Sequence, residues 1–315
     1  MGEEMSQRAG LAHAGPLRCV VVATDFSTGG KRAVERAARL LDPRTRVILV
    51  HVLPAKMRGQ QEVVATANAS LTEVASQLRA VAGGVAVDAV LAFGEAYVEI
   101  VKLAEGQSDL VVVGRHGTRR FRDLLLGTTA ERVVRHTTLP VLVVHGSPKR
   151  PYARLLAALG QPPETAQRSL DVGMLLLGAY VQERRAVHVE DELGDDALGR
   201  HGITQRDTDR ARRARRADLA ARLKTWLKTR YGGDLHWRIG ISMGEPRGCI
   251  LRAAARNKPD LICLGTQGRT GLSRLIVGSV AEAVLHGASC DVLIAHSGEA
   301  LEAEGRSKDK GIHSR

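Results

Sequence analysis

Aromatic residues are scarce. Two Trp, four Tyr and three Phe make up 3% of 315 residues. A folded core must then be built mostly from Val, Leu, Ile and Ala. Long apolar runs are missing as well. None approaches the roughly 20 residues of a membrane-spanning helix, so no membrane partner is expected. Residues 1–18 hold no apolar stretch of the kind a secretory signal needs. Met1-Gly2 with Ser6 fits the loose myristoylation pattern, but Glu3 and Glu4 follow directly and lipidation is not expected. The four cysteines, Cys19, Cys249, Cys263 and Cys290, show no Cys-x-x-Cys spacing. That argues against a disulfide framework or a thiolate metal site, and for buried free thiols in a reducing cytoplasm. No Ser-His-Asp order, catalytic carboxylate pair or metal-ligand cluster stands out. There is no Gly-x4-Gly-Lys-Ser/Thr either, so phosphoryl transfer would lack its usual lysine.

What is there is ordinary globular chemistry, 44% apolar and 25% charged, in a chain long enough for two domains of about 150 residues each. The 46 Lys and Arg exceed the 34 Asp and Glu, for a formal charge of +12. The excess is concentrated: Arg200 to Arg230 holds 11 cations against Asp207, Asp209 and Asp218. Such a run suits an anionic surface, but reads first as the solvated face of a helix. A nucleic-acid partner is not expected.

The segment from Gly114 to Thr128 organises the chain. It reads Gly114-Arg115-His116-Gly117, then nine residues, then Gly127-Thr128. An apolar run precedes it and a helix-like run follows. A strand, a glycine-rich loop and a helix N-terminus together aim backbone N–H groups at phosphate. The same pattern recurs 151 residues later, with Gly265, Gly268 and Gly278-Ser279. Asp109–His145 and Asp260–His296 align without a gap at 12 identities in 37 positions, among them Asp109/Asp260, Glu131/Glu282 and His145/His296. One such spacing is weak; two at a fixed offset mark an internal duplication.

Around these loops, apolar runs alternate with helical patterns. Repeat one has strands at Arg18–Thr24, Arg46–Leu53, Val85–Phe93, Asp109–Val113 and Leu139–His145, with a helix from Lys31 to Leu41. Repeat two has strands at Arg154–Leu159, Arg185–Glu190, Leu235–Ile241, Asp260–Leu264 and Cys290–His296, with a first helix from Thr165 to Tyr180. Alternation of this kind implies a parallel sheet with right-handed crossovers. The expected organisation is an arm at 1–16, domains at 17–146 and 152–297, a linker at 147–151 and a tail at 298–315. Leu219, Leu223, Trp226 and Leu227 share one helical face, which predicts a core-facing helix with a basic outside.

This pattern resembles the universal stress protein family in its tandem two-domain form, over residues 17–297. The resemblance rests on Gly-x2-Gly-x9-Gly-Ser/Thr in both repeats. It implies two α/β domains, each a five-stranded parallel Rossmann-like sheet in the order 3-2-1-4-5, with ATP and accompanying Mg²⁺ at the carboxyl ends of strands one and four. In repeat one the implied nucleotide contacts are Ala23, Thr24 and Asp25, the last binding ribose; Val52 at the adenine; and Val113, Gly114, His116, Gly117, Gly127, Thr128, Thr129 and Ala130 along the phosphates. In repeat two Val189, Leu264, Gly265, Gly268, Gly278, Ser279 and Val280 match, but Gly160 stands where Asp25 stands in repeat one. Repeat two is left with three readings: weaker ATP binding, binding through phosphates alone, or a structural role.

The resemblance further implies a homodimer or internal pseudo-dimer through the fifth strands. The expected function is a cytoplasmic, regulatory ATP-binding protein, with at most slow hydrolysis or autophosphorylation at Thr128, Thr129 or Ser279. A nucleotide-independent dimeric scaffold and an adenine-nucleotide α/β hydrolase are the alternatives. Asp25 has a second reading as a helix N-cap, and Arg115 as a cation beside the phosphates. His51 and His188, each ending a second strand, read as satisfying local hydrogen bonds.

Overall fold

The computed structural model describes residues 17–115, 128–146, 148, 150–178, 181–190, 205–266 and 277–296, with Gln205 described in its backbone only. The expected arm and tail, and His116, Gly117, Gly127 and Gly268, lie outside the described residues. Runs of Val, Leu and Ile that are apolar on both faces become ten strands: β1 (Cys19–Ala23), β2 (Arg46–Leu53), β3 (Val87–Phe93), β4 (Leu110–Gly114), β5 (Val141–Val144), β6 (Arg154–Ala158), β7 (Glu183–Glu190), β8 (Arg238–Met243), β9 (Leu261–Gly265) and β10 (Asp291–Ala295). The helices among the described residues are α1 (Thr28–Leu40), α2 (Gln61–Val81), α3 (Ala96–Ala104), α4 (Thr128–His136), α5 (Gln167–Leu177), α6 (Gln205–Tyr231), α7 (Pro246–Asn257) and α8 (Ser279–Gly287).

All ten strands form one sheet in the order β3-β2-β1-β4-β5-β10-β9-β6-β7-β8. Pairing within each repeat is parallel, as in Val22 opposite Val112 and Ala158 opposite Leu264. The two halves join where β5 and β10 pair antiparallel, with Leu142 opposite Leu293. The fifth strands therefore satisfy each other inside one chain, and neither is a bare edge.

Alternate strand residues feed two cores. Val20, Val22, Leu49, Leu142, Leu155 and Leu293 pack on one face; Val21, Val50, Val111, Val143, Ile262 and Ile294 pack on the other. Both cores run through both repeats. Burial on both faces explains why these strands lack a period-2 pattern. All four cysteines are free and buried. No described helix is long and apolar enough to cross a membrane.

Two sequence-based boundaries shift. α1 begins at Thr28 rather than Lys31, because the Ser27 side chain accepts from the Gly30 amide at 3.1 Å and caps the helix there. In repeat two, the first turn is a 3-10 helix (Pro163–Ala166) and α5 starts only at Gln167. In α6, Leu219, Leu223 and Leu227 are buried and Trp226 is partly buried, as their spacing predicts. The stripe covers only the carboxyl half, however: no side chain from Arg206 to Asp218 is buried.

Candidate functional site

Ala23, Thr24 and Asp25 leave the carboxyl end of β1 beside Val113 and Gly114 of β4, as the Val22–Val112 register requires. The turn after β1 is built by side chains. The Thr24 hydroxyl accepts from the Phe26 amide at 3.1 Å, and Asp25 Oδ1 accepts from the Ser27 amide at 3.1 Å. Phe26 sits in the left-handed region at φ 60°, a conformation that a non-glycine residue holds only when its surroundings enforce it. The His51 ring lies 4.4 Å from the Phe26 ring, and its Nδ1 is 2.8 Å from the Thr24 carbonyl. A carbonyl only accepts, so Nδ1 carries the hydrogen. His51 is thus a positioning residue for this turn, and His188 does the same to Leu159 O at 2.8 Å. The reading of Asp25 as N-cap fails, because Ser27 holds that place. Asp25 is half-buried at the crevice.

Glycine is required where α1 meets β4. A Cβ on Gly114 would collide with the Gly29 carbonyl, and one on Gly30 would lie 2.8 Å from both Asp25 Oδ1 and Thr24 Oγ1. The first turn of α1 is therefore seated directly on the end of β4, with its amide groups at the crevice. Thr128, exposed, opens α4 on the other side, followed by half-buried Thr129 and buried Ala130. Val52 is half-buried at the end of β2. The α1 N-terminus and one carboxylate thus stand at the carboxyl ends of β1 and β4, a place suited to an anion beside a diol.

The matching place in repeat two is built differently. Gly265 is pressed against the Thr165 carbonyl, much as Gly114 is against Gly29. A Cβ on Gly160 would lie 2.8 Å from the Thr165 hydroxyl, which donates to Pro162 O at 2.9 Å. The 3-10 turn therefore occupies the space where a side chain at position 160 would begin. Val189 is half-buried, Leu264 buried, Gly278 and Val280 half-buried, and Ser279 exposed at the start of α8. A cavity of about 250 Å³ in this repeat lies at the edge strand β8, two strands away from β6, and is lined by Met243, Cys249, Arg252 and Arg256. It does not coincide with the crevice.

Arg115 and several residues that recur in both repeats have structural partners, most of them at the junction. Arg115 does not turn toward a phosphate site. Its Nη2 donates to His286 O at 2.5 Å, across the junction of the repeats. His145 Nδ1 meets Ala288 O at 3.1 Å, while on the opposite side His296 Nε2 meets Val134 O at 3.2 Å and its Nδ1 meets the Thr266 hydroxyl at 2.9 Å. Burial pushes the His296 pKa below its ordinary value. Arg135 reaches both Glu131 and Glu282, at 2.8 and 3.5 Å. Asp109 Oδ2 accepts from the Arg18 and Cys19 amides, and Asp260 Oδ2 from the Ala153 and Arg154 amides, so each carboxylate ties the fourth strand of its repeat to the first.

Sequence reasoning missed the most buried carboxylate among the described residues. Asp291 lies 2.8 Å from Arg36 Nε and accepts from Tyr152 OH at 2.7 Å and from the His145 and Gly146 amides at 2.9 and 2.8 Å. An aspartate opening an otherwise apolar strand was the available signal.

Fold and crevice together define a doubly wound α/β protein whose strand order reverses between β1 and β4. The family model described as universal stress protein family matches residues 17–145 and 151–296. The chain belongs to the universal stress protein family. A universal stress protein of Mycolicibacterium smegmatis is 27% identical over 199 residues, which take in 61% of this chain and 63% of that relative. The chain thus spans less than two-thirds of that relative's length. Among solved structures, a universal stress protein from Archaeoglobus fulgidus matches with a TM-score of 0.63 at 20% identity, over 89% of this chain and 98% of that one. One from Pseudomonas aeruginosa, described as a putative universal stress protein, matches at 0.60 and 18%, over 94% and 97%. These likenesses concern the fold.

Proposed function

We propose that the chain is a regulatory adenine-nucleotide-binding protein with one working site per chain, in repeat one. The observation that carries this reading is the asymmetry of the two crevices. In repeat one, half-buried Asp25 and the first turn of α1 stand beside Gly114. In repeat two, Gly160 supplies no carboxylate and Thr165 fills the space next to it. The cradle fits a nucleotide: Asp25 offers two acceptors to the ribose hydroxyls, Val52 an apolar contact to the base, and Thr128 with the α1 and α4 amides donors to the phosphates. Mg²⁺ when bound would neutralise phosphate charge. Asp25, fixed by Ser27 and backed by the His51–Phe26 stack, would orient the ribose without rearranging. His51 is committed to Thr24 O and is not placed as a base, so binding rather than rapid turnover is the activity, with slow hydrolysis or autophosphorylation at Thr128 or Thr129 as its upper bound. Occupancy would bias the α1–β4 contact, and through it the conformation seen by partners.

A second reading, a nucleotide-independent scaffold, draws on the β5–β10 pairing and the Arg115, His145 and His296 clamps, which join the repeats without any ligand. Counting the nucleotide released from denatured, freshly purified protein separates the two. One adenine nucleotide per chain, lost in Asp25→Ala, supports the first reading. No nucleotide, and no uptake from millimolar Mg-ATP, leaves the scaffold.

A further inference from the structure

α6 is longer than its counterpart α2 and is anchored mainly by its carboxyl half. Leu219, Leu223, Leu227 and Tyr231 are buried at intervals of four. Arg230 grips Asp171 with two hydrogen bonds, at 3.2 and 2.6 Å, and the Tyr231 hydroxyl donates to the same carboxylate at 2.7 Å. Arg215, one step back along the same row, is pinned to the buried Glu190 at 2.8 and 3.0 Å. Upstream of this pin nothing on the helix is buried among the described residues, yet the cations continue.

Their placement is not random. At 100° per residue, Arg206, Arg210, Arg213, Lys224 and Lys228 fall within an arc of about 60°, over about 33 Å of helix. All five are exposed, and so are Ala217, inside the same arc, and Ala221, about 20° beyond its edge. Asp207, Asp209 and Asp218 all fall outside it. The result is a straight cationic ridge with small residues at its middle and no carboxylate upon it, on a chain of formal charge +12.

We infer that this ridge is a docking surface for the phosphate backbone of duplex nucleic acid, read without regard to sequence. A continuous polyanion matches a continuous row of cations, and the energy of such contacts comes from counterion release. Protein partners are held chiefly by aromatic and apolar anchors in a desolvated centre, and the ridge offers none. With no aromatic on it, the ridge also lacks the stacking platform that single strands require. This surface is independent of the nucleotide crevice.

The test is fluorescence anisotropy of the full chain with a labelled duplex of about 25 base pairs, across a salt series. Five phosphate contacts predict a log–log salt slope of about −4.5. The Arg206→Gln/Arg210→Gln/Arg213→Gln variant should bind at least tenfold more weakly at low salt, with the slope reduced by about 3. Lys224→Gln/Lys228→Gln should weaken binding on its own, which guards against an amino half that simply unwinds; far-ultraviolet circular dichroism checks the helix in each. Arg222→Gln, off the ridge and paired with Asp218 at 3.9 Å, should change binding less than threefold. The inference is overturned by absent duplex binding at low salt, by an unchanged slope in the triple variant, or by polyglutamate of equal charge competing as well as duplex, which would mark an acidic protein as the partner.

Discussion

The hydroxyl of Tyr152 donates to the carboxylate of Asp291 at 2.7 Å, with both side chains out of contact with water. Tyr152 begins repeat two and Asp291 opens its last strand. Arg36, from α1 of repeat one, pairs with Asp291 and also lies over the Tyr152 ring at 4.4 Å. The linker is thus fastened to both repeats through one buried charge cluster. Burial first, and then the Asp291 charge, raise the Tyr152 pKa well above its ordinary value, so the phenol remains a donor.

Removing one partner should be severe. Asp291→Asn leaves Arg36 buried without its counter-charge and should destabilise the fold by about 3–5 kcal/mol. Tyr152→Phe removes one donor from a carboxylate that keeps others and should cost about 1–3 kcal/mol. Denaturant unfolding of both variants checks the ranking. Equal losses would mean that the charge pair adds nothing beyond the hydrogen bond.

Gly114→Ala and Gly265→Ala should each destabilise by about 1–3 kcal/mol or more, because the added methyl meets backbone carbonyls of Gly29 and Thr165 that cannot swing aside. Gly59→Ala is the control, since nothing lies near its Cβ position. Thermal melts that leave Gly114→Ala as stable as Gly59→Ala would contradict the close seating of α1 on β4.

Asp25→Asn keeps the acceptor for the Ser27 amide but loses the charge. Nucleotide affinity should fall about ten- to a hundredfold, with little change in melting temperature. Gly160→Asp should not create a second site on its own, because Thr165 stands in the way; Gly160→Asp/Thr165→Gly is the variant with room for one. Calorimetric titration gives both answers as affinity and stoichiometry.

His296 is held neutral, chiefly by burial, with the Arg168 charge pushing in the same direction. Its folded pKa lies below the unfolded value of about 6.5. Below that value the unfolded chain takes up a proton that the folded chain refuses, so the stability contribution is complete above it and is lost as pH falls. The slope is at most about 1.4 kcal/mol per pH unit. Urea midpoints between about pH 7.5 and about pH 5 should fall more steeply for the wild type than for His296→Gln. Parallel curves would show that another group carries the effect.

Much of the architecture was legible. Valine-rich runs and glycine punctuation at a fixed offset located nine of the strands closely, and the doubled loop pattern revealed the duplication. The crevice at the end of β1 and β4 was legible for the same reason, since Asp25 and Gly114 lie at strand ends that the apolar runs define. The third strand of repeat two was set about three residues early, because Leu235 and Trp237 are apolar in a turn that packs on the core. Arg115 was legible as a loop cation and His145 as a repeated residue, but neither as a clamp.

What the sequence determined alone is local and periodic: strand and helix order, two repeats, the placement of glycines where backbones must approach, and the missing carboxylate at Gly160. These follow from burial patterns a few residues long. Tertiary structure decided which of those residues serve the junction. Arg36 and Asp291, or Arg115 and His286, are separated by more than half the chain, and nothing in the neighbourhood of either names its partner. Only the antiparallel meeting of β5 and β10 brings them together, in surroundings dry enough that each buried charge and imidazole must find one. The same holds for Thr165, whose intrusion beside Gly160 depends on how a 3-10 turn seats against the end of β9, and for α6, whose amino half is not buried by any described residue.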